Sequence, residues 1–570
     1  MSKRILFPPI AAIVACLLLS VFVACDGPQT VKPRLLNRAA DPDSGYQFLL
    51  GSSYGFAIGL TMSSLDSLWT IWPPVLRAEA EQATPDERRT MTLDRYGLLA
   101  GVSDVKGRSP EVPLNFTENP DSKQLQINCL VCHAGKILGR VTPGISNTHV
   151  ALQTLTNDLI TFFAFQFVAK NQNKGLASID TLKNPPASIE ALAEVFQQAQ
   201  AEAQEKGIEL APMNSAVQRL VAVVVAGLEK FLELDAAGRD SLIVKLLGDG
   251  IIGSLAEAFV RFRIPILSNT DGTTNAFFLA AQFGTFRNLN LELTRLPRRD
   301  VPPLPQWATE TPAWFNSRKK KLYYHDGFIE DTPGDLMQFL MGPVNPDTTI
   351  TRWYPQFQDL LAWMWSLKAP KWPEDTLGVI DRDLAQRGLL VFTNNCAKCH
   401  GFYGAGEGSF REGWHDQDII NTDSMRLYGM GRQYRAFLRD SFFGADGSGP
   451  DGKAITILQP PGYIAPPLNG IWATTPYFHN GAVPTLMDVL NYNDRPKIWT
   501  RSEDGYDSLK VGLEVQVFDT LPGGLAGWQN RMYYQDNLTG KSVSGHEYPA
   551  PPESLTEDEK WALIEYLKTI

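Results

Sequence analysis

The chain has 570 residues, of which 44% are hydrophobic and 20% charged, so it is a globular protein long enough for more than one hydrophobic core. Its formal net charge is -10. A binder of phosphate backbone carries a basic surplus or a basic stripe, and nucleic acid is set aside as a partner on that ground.

Taken in chain order, the N-terminus reads as an address. Lys3 and Arg4 precede the apolar run "ILFPPIAAIVACLLLSVFVA", which closes on Ala24 and Cys25 before Asp26, Gly27 and Pro28. A short basic flank, an apolar stretch and a cysteine after a small residue resemble a bacterial lipoprotein signal, in which Cys25 becomes the lipidated first residue of a periplasmic, membrane-anchored protein. Phe22 departs from the usual aliphatic residue three places before that cysteine. The alternative is an uncleaved anchor, since about 20 apolar residues suffice to span a bilayer. Residues 26–90 form an N-terminal extension.

The next landmark is "NCLVCHAGK" at 128–136, matched by "NNCAKCHGF" at 394–402. With Cys16 and Cys25 assigned to the export segment, the four remaining cysteines, Cys129, Cys132, Cys396 and Cys399, all fall in these two Cys-x-x-Cys-His repeats. Chance would supply on the order of 10⁻³ such motifs in a chain of this composition. The pattern is that of c-type haem attachment, with two thiols for thioether bonds to the porphyrin and the adjacent His133 or His400 as proximal iron ligand. A disulfide or a zinc site is the competing reading, but zinc would need further ligands at tetrahedral-site spacing that are not found nearby.

Between the motifs, "ASIEALAEVFQQAQAEAQEKG" and "AVQRLVAVVVAGLEKFLEL" show a 3.6-residue apolar period, which predicts a helical insertion over roughly 186–262. "PQFQDLLAWMWSLK" (355–368) reads as the helix closing the N-terminal haem domain, 91–370, ahead of a linker at Pro370 and Pro373. The C-terminal haem domain, 371–570, opens with a helix that places Ala385, Gly388, Leu389 and Phe392 on one face. It ends with a helix capped by Thr556 and Glu559 and striped by Leu563, Tyr566, Leu567 and Ile570. These two helices resemble the crossing pair of a cytochrome c domain, in which the small Gly388 would permit close approach. The glycine-rich "GFYGAGEG" (401–408) follows a haem motif rather than a strand, so it is a loop around the ring and not a nucleotide loop. The fold expected is mainly α: two tandem cytochrome c-type haem domains, the helical insertion and few short strands.

Two haem domains in tandem, an aromatic-proline linker and "APPLNGIWATTPYFHNGAVPTLMDVL" (465–490) together resemble the dihaem cytochrome c superfamily of bacterial cytochrome c peroxidases, MauG-type enzymes and rubber oxygenases. "YGLLAGVSD", "DGTTNAFF" and "TPAWFNSRKKKLYYHDG" resemble the rubber-oxygenase-like branch most closely. The resemblance covers most of residues 90–570. It implies His479 as the distal ligand of the C-terminal iron; Met430, whose thioether would raise the potential, and then His415 are the alternatives read from the residues. For the N-terminal iron it implies two alternatives: a distal histidine, His149, as in the peroxidases, or an aromatic wall at Ala276 and Phe277, as in the rubber-oxygenase branch. Trp314 is a candidate electron relay between the haems, against plain packing for most of the 13 tryptophans. Arg318, Lys319, Lys320 and Lys321 are candidate partners for haem propionates.

An exported oxidoreductase that activates peroxide or dioxygen at the N-terminal haem, with the C-terminal haem as electron-transfer centre, follows from this resemblance. Its partners are a periplasmic redox protein or the small oxidant itself. The alternative is a non-catalytic dihaem electron carrier. Calcium between the domains, as in the peroxidases, has no acidic loop motif to support it.

Overall fold

The computed structural model describes residues 40–54, 56–171, 202–203, 205–206, 270–274, 287–292, 309–340, 350–403, 408–445, 447–449, 451–455, 457–549 and 554–570. The export segment with Cys25, almost all of the expected insertion, and Ala276 and Phe277 lie outside the described residues.

Asp41 and Pro42 start the first helix. The Asp41 carboxylate accepts the Asp43 N–H at 3.1 Å and Pro42 occupies the first turn, where a missing N–H costs nothing. The helix spans Pro42–Gly51 and packs on the Tyr354–Ser366 helix. At the crossing, a Cβ on Gly45 would sit 2.2 Å from the Asp359 carbonyl oxygen. The C-terminal half repeats the device. The Arg382–Asn395 helix crosses the Glu557–Leu567 helix, and a Cβ on Gly388 would sit 1.9 Å from the Ala562 carbonyl oxygen. These are the two most extensive helix pairings among the described residues. Because backbone lies opposite each glycine, Gly388→Val and Gly45→Val are each expected to cost about 3 kcal/mol or more, read as a lowered urea midpoint. An unchanged midpoint would show that the helices part at no cost.

The Thr556–Glu559 capping box forms as expected, with the Thr556 N–H donating to Glu559 at 2.8 Å. The helix expected at 355–368 is found at Tyr354–Ser366. Two features depart from the expectation. Residues 42–51 supply half of the N-terminal crossing pair, so the segment 26–90 is not simply an appendage to that half. The stretch 430–443 of the C-terminal half packs Met430, Tyr434, Phe437 and Phe442 into the same core as Phe48, Phe357 and Trp363; the second core gathers Phe392, Trp472, Leu563 and Tyr566. The halves interdigitate.

Among the described residues the secondary structure is mixed, with 40% helix and 14% strand, so the mainly-α expectation is met only in part. The described strands form five small sheets. One joins Phe56–Thr61, Gln124–Ile127 and Phe116–Glu118, with Phe56 and Phe116 both opposite Ile127. Another joins Ile498–Asp507 to Gly512–Val517 and Tyr534–Gln535. Many strands run only two to four residues, too short for a period of two to register in the sequence.

Candidate functional site

The strand Gln124–Ile127 delivers the first motif, and three buried asparagines shape its turn. Asn128 donates from Nδ2 to the Leu114 carbonyl (2.9 Å) and accepts the Leu130 N–H (2.9 Å). Asn115 donates to the Leu130 carbonyl (3.0 Å), and Asn147 to those of Gly97 (2.8 Å) and Val131 (2.9 Å). The turn is thus fixed without help from a ligand. Cys129 and Cys132 are free thiols whose pKa burial pushes up to about 11. The His133 ring stacks on Trp314 at 4.4 Å and 23°. Burial depresses its pKa to about 3, with the Pro312 carbonyl acting in the opposite direction.

The second motif follows the Arg382–Asn395 helix directly. Cys396 and Cys399 are likewise free, and burial raises Cys396 to about 12. His400 Nδ1 lies 3.0 Å from the Pro466 carbonyl; as a donor there it leaves Nε2 available to a metal. The ring of His546 stands 6.1 Å from that of His400, centre to centre, at 63°. Two imidazoles flanking one metal at ~2.0–2.1 Å per bond have centres about 6 Å apart. His546 is held for this position: its N–H donates to the Ile420 carbonyl at 2.7 Å. Arg495 clamps the carbonyls of Val543 (2.6 Å) and Gly545 (2.7 Å), and Gly545, at φ 85°, leaves no room for a Cβ beside Asn421. The Nδ1 of His546 is buried without a hydrogen-bond partner.

Both motifs open on one cavity of about 1130 Å³, above the ~300–1,000 Å³ of a usual small-ligand pocket. Its wall includes all four cysteines, His133, His400 and His546, with Leu155, Leu159, Phe357 and Met364 among its apolar residues. Lys320 lines it too: its Nζ donates only to the Tyr324 carbonyl (3.2 Å) among the bonds described, and burial lowers its pKa to about 8. Paired free thiols beside histidines, an unpartnered buried imidazole nitrogen and a cation facing a large apolar cavity fit an anionic porphyrin. Among the described residues no three His, Cys, Asp or Glu side chains cluster to hold a bare metal ion.

Other sequence candidates fall differently. His479 lines the cavity but stacks on Tyr463 at 4.4 Å, with Nε2 3.3 Å from that hydroxyl, and its ring neighbour is His325 at 6.1 Å. Its motif divides its labour: Phe478 packs on His546 at 5.9 Å, and Asn480 holds the Gly540 and Ser542 carbonyls. Met430 is buried in the N-terminal core. His415 reaches Cys399 Sγ at 3.5 Å. Arg318 and Lys321 are exposed, and Lys319 bonds Asn469. His149 is not part of the cavity wall; its Nε2 meets the Glu503 carbonyl. Arg501, then burial, depresses its pKa to about 3. Between pH 3 and 6.5 the unfolded chain therefore binds a proton that the folded one refuses, and stability rises with pH. His149→Gln is expected to shrink the stability difference between pH 7.5 and pH 5 by about 1–2 kcal/mol; an unchanged difference in urea unfolding would refute this burial.

His546 and Glu310 carry no motif in the sequence, and His325, within "TPAWFNSRKKKLYYHDG", is not singled out there. His546 lies in "SVSGHEYPA", an irregular stretch whose only local cue is the glycine before it. Glu310 is fully buried at the cavity wall, its N–H bonded to the His479 carbonyl at 2.8 Å, and burial raises its pKa.

Residues 462–500 match the family described as RoxA-like, cytochrome c-like. The stretch contains Pro466, whose carbonyl meets His400, Phe478, which packs on His546, and Arg495, which holds the loop around His546. The match supports a cytochrome c and rubber-oxygenase-like relationship and, with it, covalently bound haem c in an oxidoreductase or electron-transfer role. Two similar proteins come from Sinorhizobium fredii (strain NBRC 101917 / NGR234). The uncharacterised protein y4iJ is 30% identical over 257 residues, 36% of this chain and 41% of y4iJ. The uncharacterised protein y4iM is 27% identical over 317 residues, 50% of this chain and 69% of y4iM. The chain thus spans well under half of the first relative's length.

Proposed function

We propose that the chain is an exported dihaem c-type oxidoreductase of the rubber-oxygenase-like branch, anchored at the periplasmic membrane through Cys25. Cys129, Cys132 and His133 would hold one haem and Cys396, Cys399 and His400 the other, with His546 rather than His479 as the second histidine that would hold the latter. The observation that carries this reading is an asymmetry. His400 faces a second buried imidazole, whereas His133 faces Trp314 and, among the described residues, no second histidine ring. A filled sixth position favours electron transfer and an open one admits dioxygen or peroxide.

When bound, haem supplies the redox-active iron. The protein supplies its setting. Pro466 fixes the rotation of His400, and the Trp314 ring fixes that of His133. Lys320 offers a cation to a propionate, and Leu155, Leu159, Phe357 and Met364 keep water from the cavity. Phe277, which the resemblance to the rubber-oxygenase branch implies for the distal side of the N-terminal haem, lies outside the described residues; Thr274 lines the cavity and bonds Cys132. The turn of His149 towards the Glu503 carbonyl, away from the cavity wall, favours the aromatic-wall alternative over a distal histidine. The electron partner is a periplasmic redox protein, and the oxidant is dioxygen or peroxide.

EPR of the oxidised holoprotein, followed by carbon monoxide added to the reduced protein, tests this. One low-spin haem inert to carbon monoxide and one that binds it are expected. Two low-spin haems inert to carbon monoxide and peroxide would make the chain an electron carrier.

A further inference from the structure

The segment that stacks Trp314 on His133 is fastened to the loop that orients His400. Asn316, 7% exposed, donates from Nδ2 to the Pro467 carbonyl at 3.1 Å and the Asn469 carbonyl at 2.9 Å. Two neighbours tighten the grip. A Cβ on Gly470 would meet Phe315 Cε2 at 3.2 Å, and Lys319 Nζ bonds Asn469 Oδ1 at 2.5 Å. The residue before Pro467 is Pro466, whose carbonyl holds His400 Nδ1. A continuous bridge therefore runs from the His133 ring through Trp314, the backbone to Asn316, its amide, the Pro467 and Pro466 peptides, and into the His400 ring.

We propose that Asn316 is a positioning residue that sets the electronic coupling of the two proximal histidines by holding Trp314 and Pro466 in one rigid bridge. This rests on the dihaem reading above. In the step it serves, one electron moves between the irons: one is oxidised, the other reduced, and no proton or atom changes place. Coupling of this kind follows contiguous packed and hydrogen-bonded groups. The residue type suits the task, because one planar amide offers two N–H donors to two carbonyls. Its Oδ1 is buried without a partner, so the side chain is kept for its donors. Aspartate would set a carboxylate against both carbonyls, and leucine would fill the space with no donor.

The test uses the mature, haem-loaded full chain with Asn316→Leu and Asn316→Asp. Haem per chain is counted first: fewer than two in the unsubstituted protein defeats the dihaem reading itself. With two haems in place, a one-electron flavin photoreductant half-reduces the protein, and equilibration between the haems is followed optically. Both variants are expected to keep two haems, to slow equilibration by about tenfold, and to shift the midpoint potential of the His400 haem. Unchanged rates and potentials would overturn the role of Asn316 while leaving the haems untouched. If both variants lose haem, Asn316→Ser, which retains one donor, replaces them; intermediate slowing supports the proposal and an unchanged rate overturns it.

Discussion

Replacing Cys396 and Cys399 together by serine is expected to leave one covalent haem per chain, with the Cys129, Cys132 and His133 site still loaded. None of the four cysteines is tied up in a disulfide, and the two pairs occupy separate turns of one cavity wall. Serine keeps the size of the side chain but forms no thioether, so only His400 and His546 would remain to hold the haem, and neither bond survives denaturation. A pyridine haemochrome assay of denatured protein should therefore fall to about half, and the reciprocal Cys129 and Cys132 pair should do the same. The folded variant should also lose stability, because a tightly bound group stabilises the native state by mass action. Unchanged haem in either double variant would remove those cysteines from attachment.

The second large effect is expected from His546→Ala. Arg495, Ile420 and Gly545 hold the surrounding loop by backbone contacts, so deleting the imidazole should leave fold and haem content intact. The His400 haem should change from low-spin to high-spin and begin to bind carbon monoxide. Added imidazole should restore the low-spin signal. His479→Ala is the control: its ring is committed to Tyr463, and the low-spin signal should survive. Should His479→Ala abolish that signal and His546→Ala spare it, the ligand assignment would be reversed.

Residues whose role is local were legible in the sequence. The Thr556–Glu559 cap declares itself within a few positions, as does the small Gly388 on the apolar face of its helix, and both are found where expected. Contacts made by chain return were not legible. Gly45 performs for Asp359 what Gly388 performs for Ala562, yet its helix partner is some 300 residues away and its own helix is short. His546 reaches His400 only because Arg495 folds an irregular loop back over the haem turn. His479 carries the ligand role in the sequence because its motif resembles the one that supplies an axial ligand in the dihaem superfamily; in the structure its ring stacks on Tyr463, while Phe478 packs on His546 and Asn480 holds the Gly540 and Ser542 carbonyls. Short strands escaped for a different reason: two to four residues give no period to detect.

Intact mass of the purified mature protein under denaturing conditions tests the account most directly. Two haem additions per polypeptide should survive denaturation, one lost with each cysteine-pair variant. A mass equal to the bare polypeptide, from cells that attach haem to other c-type cytochromes, would contradict it.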